Sequence, residues 1–239
     1  MKLFEDKEYH ITSLKQFFGI IEERHSATID KPLKWIFRGH DNYDYKLLPS
    51  IGRLLNTGRF TDIEKVIEAE RNSFQQFEIE TYHELKERNL FILLAVAQHH
   101  GLKTRYLDWT FSPLVALFFA VENEKQFDVD GGFFAFNRKG FTNILRKTEH
   151  PFEISGADYQ YLSIPSFTPR ISAQNGIFQL FKEPTKPLEK ADGLEKFRIP
   201  AECKKDLKID LFNIGISYYS LFPDINGIAK NINYMHLQL

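Results

Sequence analysis

Arg38 is the first residue in the chain that is placed to do chemistry. It lies in the run Trp35-Ile36-Phe37-Arg38-Gly39-His40. The guanidinium is a planar fork that suits a phosphate or a carboxylate, and Gly39 beside it allows a close backbone approach. The competing structural reading pairs Arg38 with an acid at the core edge. A denser set follows in the string QHHGLKTRYLDWTFSPLVALFFA, which begins at Gln98. It gathers His99, His100, Thr104, Arg105, Asp108 and Trp109 around a single glycine turn, with Pro113 opening the next helix. Its structural reading has His100 at a helix end, Asp108 as a cap or paired with Arg105, and Trp109 in the core.

Other chemistries are poorly supported. Adjacent histidines do not share a helix face, and the two-His spacing of a zinc helix is missing, so no metal site is expected. Cys203, the sole cysteine, lies in a lysine-rich helical pattern and is a poor candidate nucleophile. It also excludes an internal disulfide and fits a reducing compartment. There is no Gly-x-Ser-x-Gly elbow, and Gly131-Gly132 precedes a strand pattern instead of opening a helix, as a phosphate loop would. Glu78 and Glu80 point about 200° apart on a helix and read as solvated. With 31 basic and 32 acidic residues the net charge is −1, so no overall field favours a polyanion, although a local basic groove is compatible with it. The first residues lack a secretory pattern and the longest apolar runs, 90–97 and 114–121, are too short to span a bilayer, so the expected location is cytoplasmic, with no membrane partner.

The elements that must position these residues can be read from periodicity and caps. Thr12 or Ser13 caps a helix with Leu14, Phe17, Phe18 and Ile21 on one face. Residues 35–39 form a strand. Thr61 and Glu64 form a capping box for a helix that carries Val66, Phe74 and Phe77 and runs to about residue 85 or breaks near Asn72. Residues 89–100 form a buried helix that Gly101 ends at the C′ position. A strand at 104–109 leads to Ser112 as N-cap and Pro113 at the first position of a helix reaching Val121. Strands are expected at 132–137, 176–181 and 196–199. The excursion 150–170 reads as a long surface loop able to cover a site. Pro200 opens a further helix, and Asp224 caps the last one. The fold class is α+β, a small mixed or antiparallel sheet flanked by helices. One domain is expected over residues 1–239, with 1–30 as an amino-terminal helical extension and the core motifs from 35 on.

These motifs resemble the FRG domain, a family named for an aromatic-Arg-Gly motif, here Phe37-Arg38-Gly39. The family's Gln-His-x-Gly-x-x-Thr-Arg-x-x-Asp-Trp-Thr block is matched from Gln98 to Thr110, followed by Pro113 and Ala116. A later block is matched by Arg170, Gln174, Gly176 and Phe178, and a last one by residues 221–229. The resemblance implies a place in bacterial conflict, phage-defence or toxin systems. More distantly, the chain is similar to mono-ADP-ribosyltransferases, which implies a transferase-like fold, an NAD cofactor and transfer to a macromolecular acceptor. On that likeness Arg38, Asp108 and Gln174 take the catalytic positions, while Arg38, Gly39, His100, Thr104, Arg105 and Trp109 hold the cofactor. Trp109 or Phe111 would stack on a planar ring. The likeness departs at Gln174, where the transferases carry an acid, so Asp108 or Glu183 would have to supply the negative charge. The competing class is a non-catalytic nucleic-acid or nucleotide module, with Arg38, Lys103, Arg105 and His99 on phosphate and Trp109 and Tyr106 stacking.

Overall fold

The computed structural model describes residues 9–25, 35–138, 142–143, 150–189 and 191–237. Among the described residues, eight strands form one mixed sheet: β1 (Tyr9–His10), β2 (Trp35–His40), β3 (Tyr106–Thr110), β4 (Gly131–Asn137), β5 (Thr142–Asn143), β6 (Tyr159–Ser163), β7 (Gly176–Phe181) and β8 (Leu194–Ile199). Their spatial order is β1-β8-β4-β2-β3-β7-β6-β5. The outer pairs β1/β8 and β5/β6 are parallel, and the inner pairs are antiparallel. The class is α+β, as the sequence pattern indicates.

The middle of the sheet is its weakest join. β2 pairs with β4 along its whole length, from Trp35↔Asn137 to His40↔Gly132, and β3 pairs with β7 from Tyr106↔Leu180 to Thr110↔Gly176. β2 and β3 share only the register pair Phe37↔Thr110. Two four-stranded halves therefore touch at one point and splay beyond it.

Helices cover one side of both halves. α1 (Leu14–Ile20), α4 (Pro113–Val121) and α6 (Ala201–Asn213) pack on the β2 half through Phe17, Phe37, Leu117, Phe133, Phe197 and Leu211. α2 (Ile63–Glu80) and α3 (Leu90–His99) pack on the β3 half through Phe74, Phe91, Leu94, Tyr106 and Leu180. Thr110 pairs with Phe37, and side chains alternate along a strand, so Tyr106 and Phe37 face the same side. On the opposite side, Ile36, Leu107, Trp109, Phe134, Phe136 and Ile177 form a separate cluster. α3 and α4 leave a channel between them above the splayed seam.

Several boundaries differ from expectation for identifiable reasons. The amino-terminal segment is part of the sheet: β1 pairs with β8, and Ile11 and Phe17 are fully buried. Residues 1–8 and 26–34 lie outside the described residues. The α2 cap is Asp62, whose Oδ1 accepts from the Lys65 N–H at 2.8 Å, and the helix passes through Asn72 to end at Glu80. The excursion 150–170 contains β6, which no local periodicity announced because its order comes from pairing with β7. Two short helices, α5 (Pro169–Ala173) and α7 (Tyr218–Leu221), and the terminal α8 (Ile225–Leu237) complete the fold. Asp224 caps α8, its Oδ1 accepting from the Gly227 N–H at 2.8 Å. Among the described residues, no helix is long and apolar enough to cross a membrane.

Lys204 on α6 is fully buried, and its Nζ donates to the carbonyls of Asp41 at 2.7 Å, Gln126 at 2.5 Å and Val129 at 3.1 Å. It ties α6 to the loop that leaves β2. Lys204→Met keeps the stem but strands these acceptors, and each one left unsatisfied costs about 1–3 kcal/mol. A urea unfolding curve should show a correspondingly lower midpoint; an unchanged midpoint would mean that water replaces the ammonium without cost.

Candidate functional site

The site begins where the β2–β3 ladder stops. Beyond Phe37↔Thr110 the Arg38 guanidinium spans the gap, donating from one terminal nitrogen to the backbone carbonyl of Asp108 and from Nε to His40 Nε2 at 2.9 Å. Because His40 Nε2 accepts, the ring proton must sit on Nδ1, where it donates to the Tyr45 carbonyl at 3.3 Å. Burial, followed by the charge of Arg38, pushes the His40 pKa down to about 2, so the imidazole is neutral. Burial also lowers Arg38, to about 10, against the opposing pull of Asp108. Arg38 therefore remains cationic at neutral pH.

Asp108 is the one exposed residue in β3, whose other positions are buried. It meets solvent through the mouth of the cleft while protein surrounds it elsewhere. That crowding raises its pKa above the ordinary value, and Arg38, Arg170 and Arg53 act in the opposite sense. Gln98 Nε2 donates to Asp108 Oδ1 at 2.8 Å. Gln98 is aimed by the end of α3, where the Leu102 N–H bonds the Ala97 carbonyl at 3.0 Å and the Gly101 N–H bonds the Gln98 carbonyl at 2.9 Å. Gly101 adopts φ +98° to close this turn, as the sequence pattern predicts.

Around this centre lies a cleft of about 390 Å³, lined by Arg38, Arg53, Gln98, His99, Asp108, Arg170 and Gln174, with Tyr45, Phe119 and Phe167 among its walls. Arg53 comes from the 3-10 turn Gly52–Thr57, and its Nε donates to the Leu48 carbonyl at 3.0 Å. Arg170 comes from α5, its guanidinium carbon 4.5 Å from the centre of the Phe222 ring. Gln174 ends α5 with its side-chain amide on the Leu221 carbonyl at 3.2 Å, and its own carbonyl accepts from the Thr110 hydroxyl at 2.6 Å. The arrangement sets three guanidinium groups around Asp108 in a cleft that Asp41 and Glu122 also border, and guanidinium forks of this kind suit a ligand carrying a diphosphate.

The structure thus brings Arg38, Asp108 and Gln174 together and places other expected residues elsewhere. Arg105 is 2% exposed and bonds the fully buried Glu70; a guanidinium so enclosed does not reach the cleft. Thr104 is fully buried behind Gln98, and His100 is exposed outside the cleft. Gly39 borders the cleft, but the close approach it permits is to the backbone of α4. Trp109 borders it too, yet is 3% exposed and donates from Nε1 to Gln179 Oε1 at 2.8 Å, so its ring is not free to stack. Phe111 is not in the lining and lies 5.4 Å from the Arg138 guanidinium. Glu183 is exposed beyond the far end of β7. Lys103 lies outside the cleft, and Tyr106 is buried with its hydroxyl on the Phe91 carbonyl at 2.9 Å. Sequence reasoning missed Arg53, Tyr45, Phe119 and Phe167 as lining residues. Arg170 was visible only as part of a motif, and Arg53, on an irregular turn, carried no signal.

The FRG domain model matches residues 33–129, the stretch that holds Arg38, Gln98, Asp108 and α4. The chain carries an FRG domain. Arg170 and Gln174 contribute to the same cleft from outside the matched stretch. No curated protein and no solved structure matches the chain.

Proposed function

We propose that the cleft binds a nucleotide with a diphosphate, NAD first among candidates, and transfers its ADP-ribosyl group to a macromolecular acceptor. The observation that carries this reading is the grouping of Arg38, Arg53 and Arg170 around Asp108 at the splayed seam. The guanidinium groups would hold the diphosphate oxygens, and Phe167 or Tyr45 is better placed than Trp109 to meet a planar ring. In the transfer step the ribose C1′–nitrogen bond breaks, its electron pair leaves with nicotinamide, and an acceptor nucleophile bonds C1′ and releases its proton to solvent. The ionised Asp108 carboxylate stabilises the positive charge that develops on the ribose. Gln174 is uncharged and is left to orient a polar group.

Isothermal titration with NAD, ADP-ribose and a short single-stranded RNA tests the ligand. A charge-assisted contact is worth about 1.5–3 kcal/mol, so Arg38→Ala should weaken NAD binding about tenfold to a hundredfold while the domain stays folded. Asp108→Asn should keep NAD binding and lose transfer. Because the carboxylate must be ionised and its pKa is raised, transfer should increase with pH through a range above that of an ordinary aspartate, and the asparagine variant should lack that rise. RNA binding without NAD binding would replace this reading with the nucleic-acid module; binding of neither ligand would end both.

A further inference from the structure

Gln98 and Thr104 belong to the same motif as Asp108, and the nucleotide reading leaves them without a role. Their hydrogen bonds run in one direction. The Tyr106 backbone N–H donates to Thr104 Oγ1 at 3.2 Å. The Thr104 hydroxyl donates its proton to Gln98 Oε1, and because the ionised Asp108 carboxylate on the other side can only accept, one amide orientation serves both neighbours. The carboxamide of a glutamine can otherwise be turned over with little change in shape, but here its oxygen is claimed. Its nitrogen is therefore the atom facing Asp108, and it donates to Oδ1 at 2.8 Å. Thr104 is fully buried and its own N–H bonds Ser50 Oγ at 3.1 Å, so the first link is rigid.

We propose that Gln98, locked in one amide orientation by Thr104, is the positioning residue for the Asp108 carboxylate. The relay runs from the β3 backbone through a hydroxyl and an amide to Oδ1. It aims Oδ1 at the end of α3 and leaves Oδ2 as the oxygen presented to the cleft. Gln98 is a donor only toward Asp108, so it favours the ionised form without adding charge among Arg38, Arg53 and Arg170. The relevance of this to transfer rests on the nucleotide reading, whereas the relay itself exists without ligand.

The charged groups acting on Asp108 are Arg38 from β2, Arg53 from the 3-10 turn and Arg170 from α5, and the titratable groups that share its cleft are His40 at the end of β2, Asp41 and Tyr45 from the loop after it, His99 from α3 and Glu122 from the end of α4. None of them changes in the variants that follow, so an altered Asp108 titration reports the relay. The Asp108 carboxyl carbon is followed by NMR against pH in ligand-free wild type, Gln98→Ala, Thr104→Val and Thr104→Ser. Gln98→Ala should raise the Asp108 pKa by on the order of one unit, since a donor to the charged form is lost. Thr104→Val should move it in the same direction, because the amide is released to turn over. Thr104→Ser restores the hydroxyl and should titrate as wild type. Gln98→Glu keeps the shape, faces one carboxylate with another, and should raise the pKa further. Wild-type titration in Gln98→Ala overturns the proposal, as does wild-type titration in Thr104→Val alongside a shifted Gln98→Ala. NAD titration is read separately: no NAD binding by wild type sinks the nucleotide reading while leaving the Asp108 titration to judge the relay.

Discussion

Arg105→Ala will cost the fold about 3–5 kcal/mol, the magnitude expected when one partner of a buried ion pair is removed. Glu70 on α2 is fully buried, and Arg105 is 2% exposed. Arg105 reaches the carboxylate through a terminal nitrogen at 2.8 Å and Nε at 3.0 Å, while its own backbone N–H donates to the other oxygen at 2.6 Å. The guanidinium also lies 4.5 Å from the Phe152 ring centre. Truncation would leave a buried carboxylate with a single backbone donor. Replacing both residues, Glu70→Leu with Arg105→Met, removes the charge altogether and should recover much of the loss, since apolar pairs of similar size are often as stable as buried ion pairs. Chemical unfolding of the two single variants and the double variant gives the coupling energy. The folded fraction of Arg105→Ala should bind ligand as wild type does; a binding defect without a stability defect would return Arg105 to the cleft.

Gly39→Ala is expected to be nearly as damaging, although it adds a single methyl group. An added Cβ would stand 1.9 Å from the Ala116 carbonyl oxygen and 2.7 Å from the Ala120 nitrogen. Both atoms are backbone atoms inside α4, so no side chain can rotate away, and the helix must move from β2. Overpacking of this kind costs about 1–3 kcal/mol and occasionally more, and a backbone clash belongs at the upper end. Thermal unfolding should show the loss, and hydrogen exchange should show faster opening of the α4 amides. Because α4 also supplies Phe119 to the cleft wall, ligand affinity should fall with it. A variant of wild-type stability would show that α4 does not pack so closely.

Local sequence was sufficient for features whose energetics are local. Ser112 and Pro113 open α4, with the Val115 N–H on Ser112 Oγ at 3.4 Å. The α3 helix was legible over 89–100 with Gly101 taking the positive φ that ends it, and the structure starts it at Leu90 with Asn89 as its cap. β7 and the strand bearing Arg38 were legible from aromatic and β-branched runs bounded by glycine. Each depends on residues a few positions apart, so the pattern is complete within a short window.

Non-local pairing decided the rest. Thr61 and Asp62 both carry a capping oxygen, Asp being the stronger cap by type, and the extended backbone at Asp62 selects it. Residues 159–163 become a strand because β7 lies beside them. Arg38 and Arg105 look alike in sequence, each next to an aromatic strand residue. Arg38 falls where the β2–β3 ladder opens, whereas Arg105 falls opposite Glu70, which stands on the apolar stripe of α2 between Val66 and Phe74 and marks that face as holding a buried charge in need of a partner. Sequence by itself determined which groups are available: an arginine before a glycine, a Gln-to-Asp block, and an acid missing at position 174. The tertiary structure decided which of them share a cleft. The physical reason is that desolvation and charge pairing depend on neighbours distant in the chain, so an identical guanidinium is a structural clamp in one register and a candidate ligand contact in another.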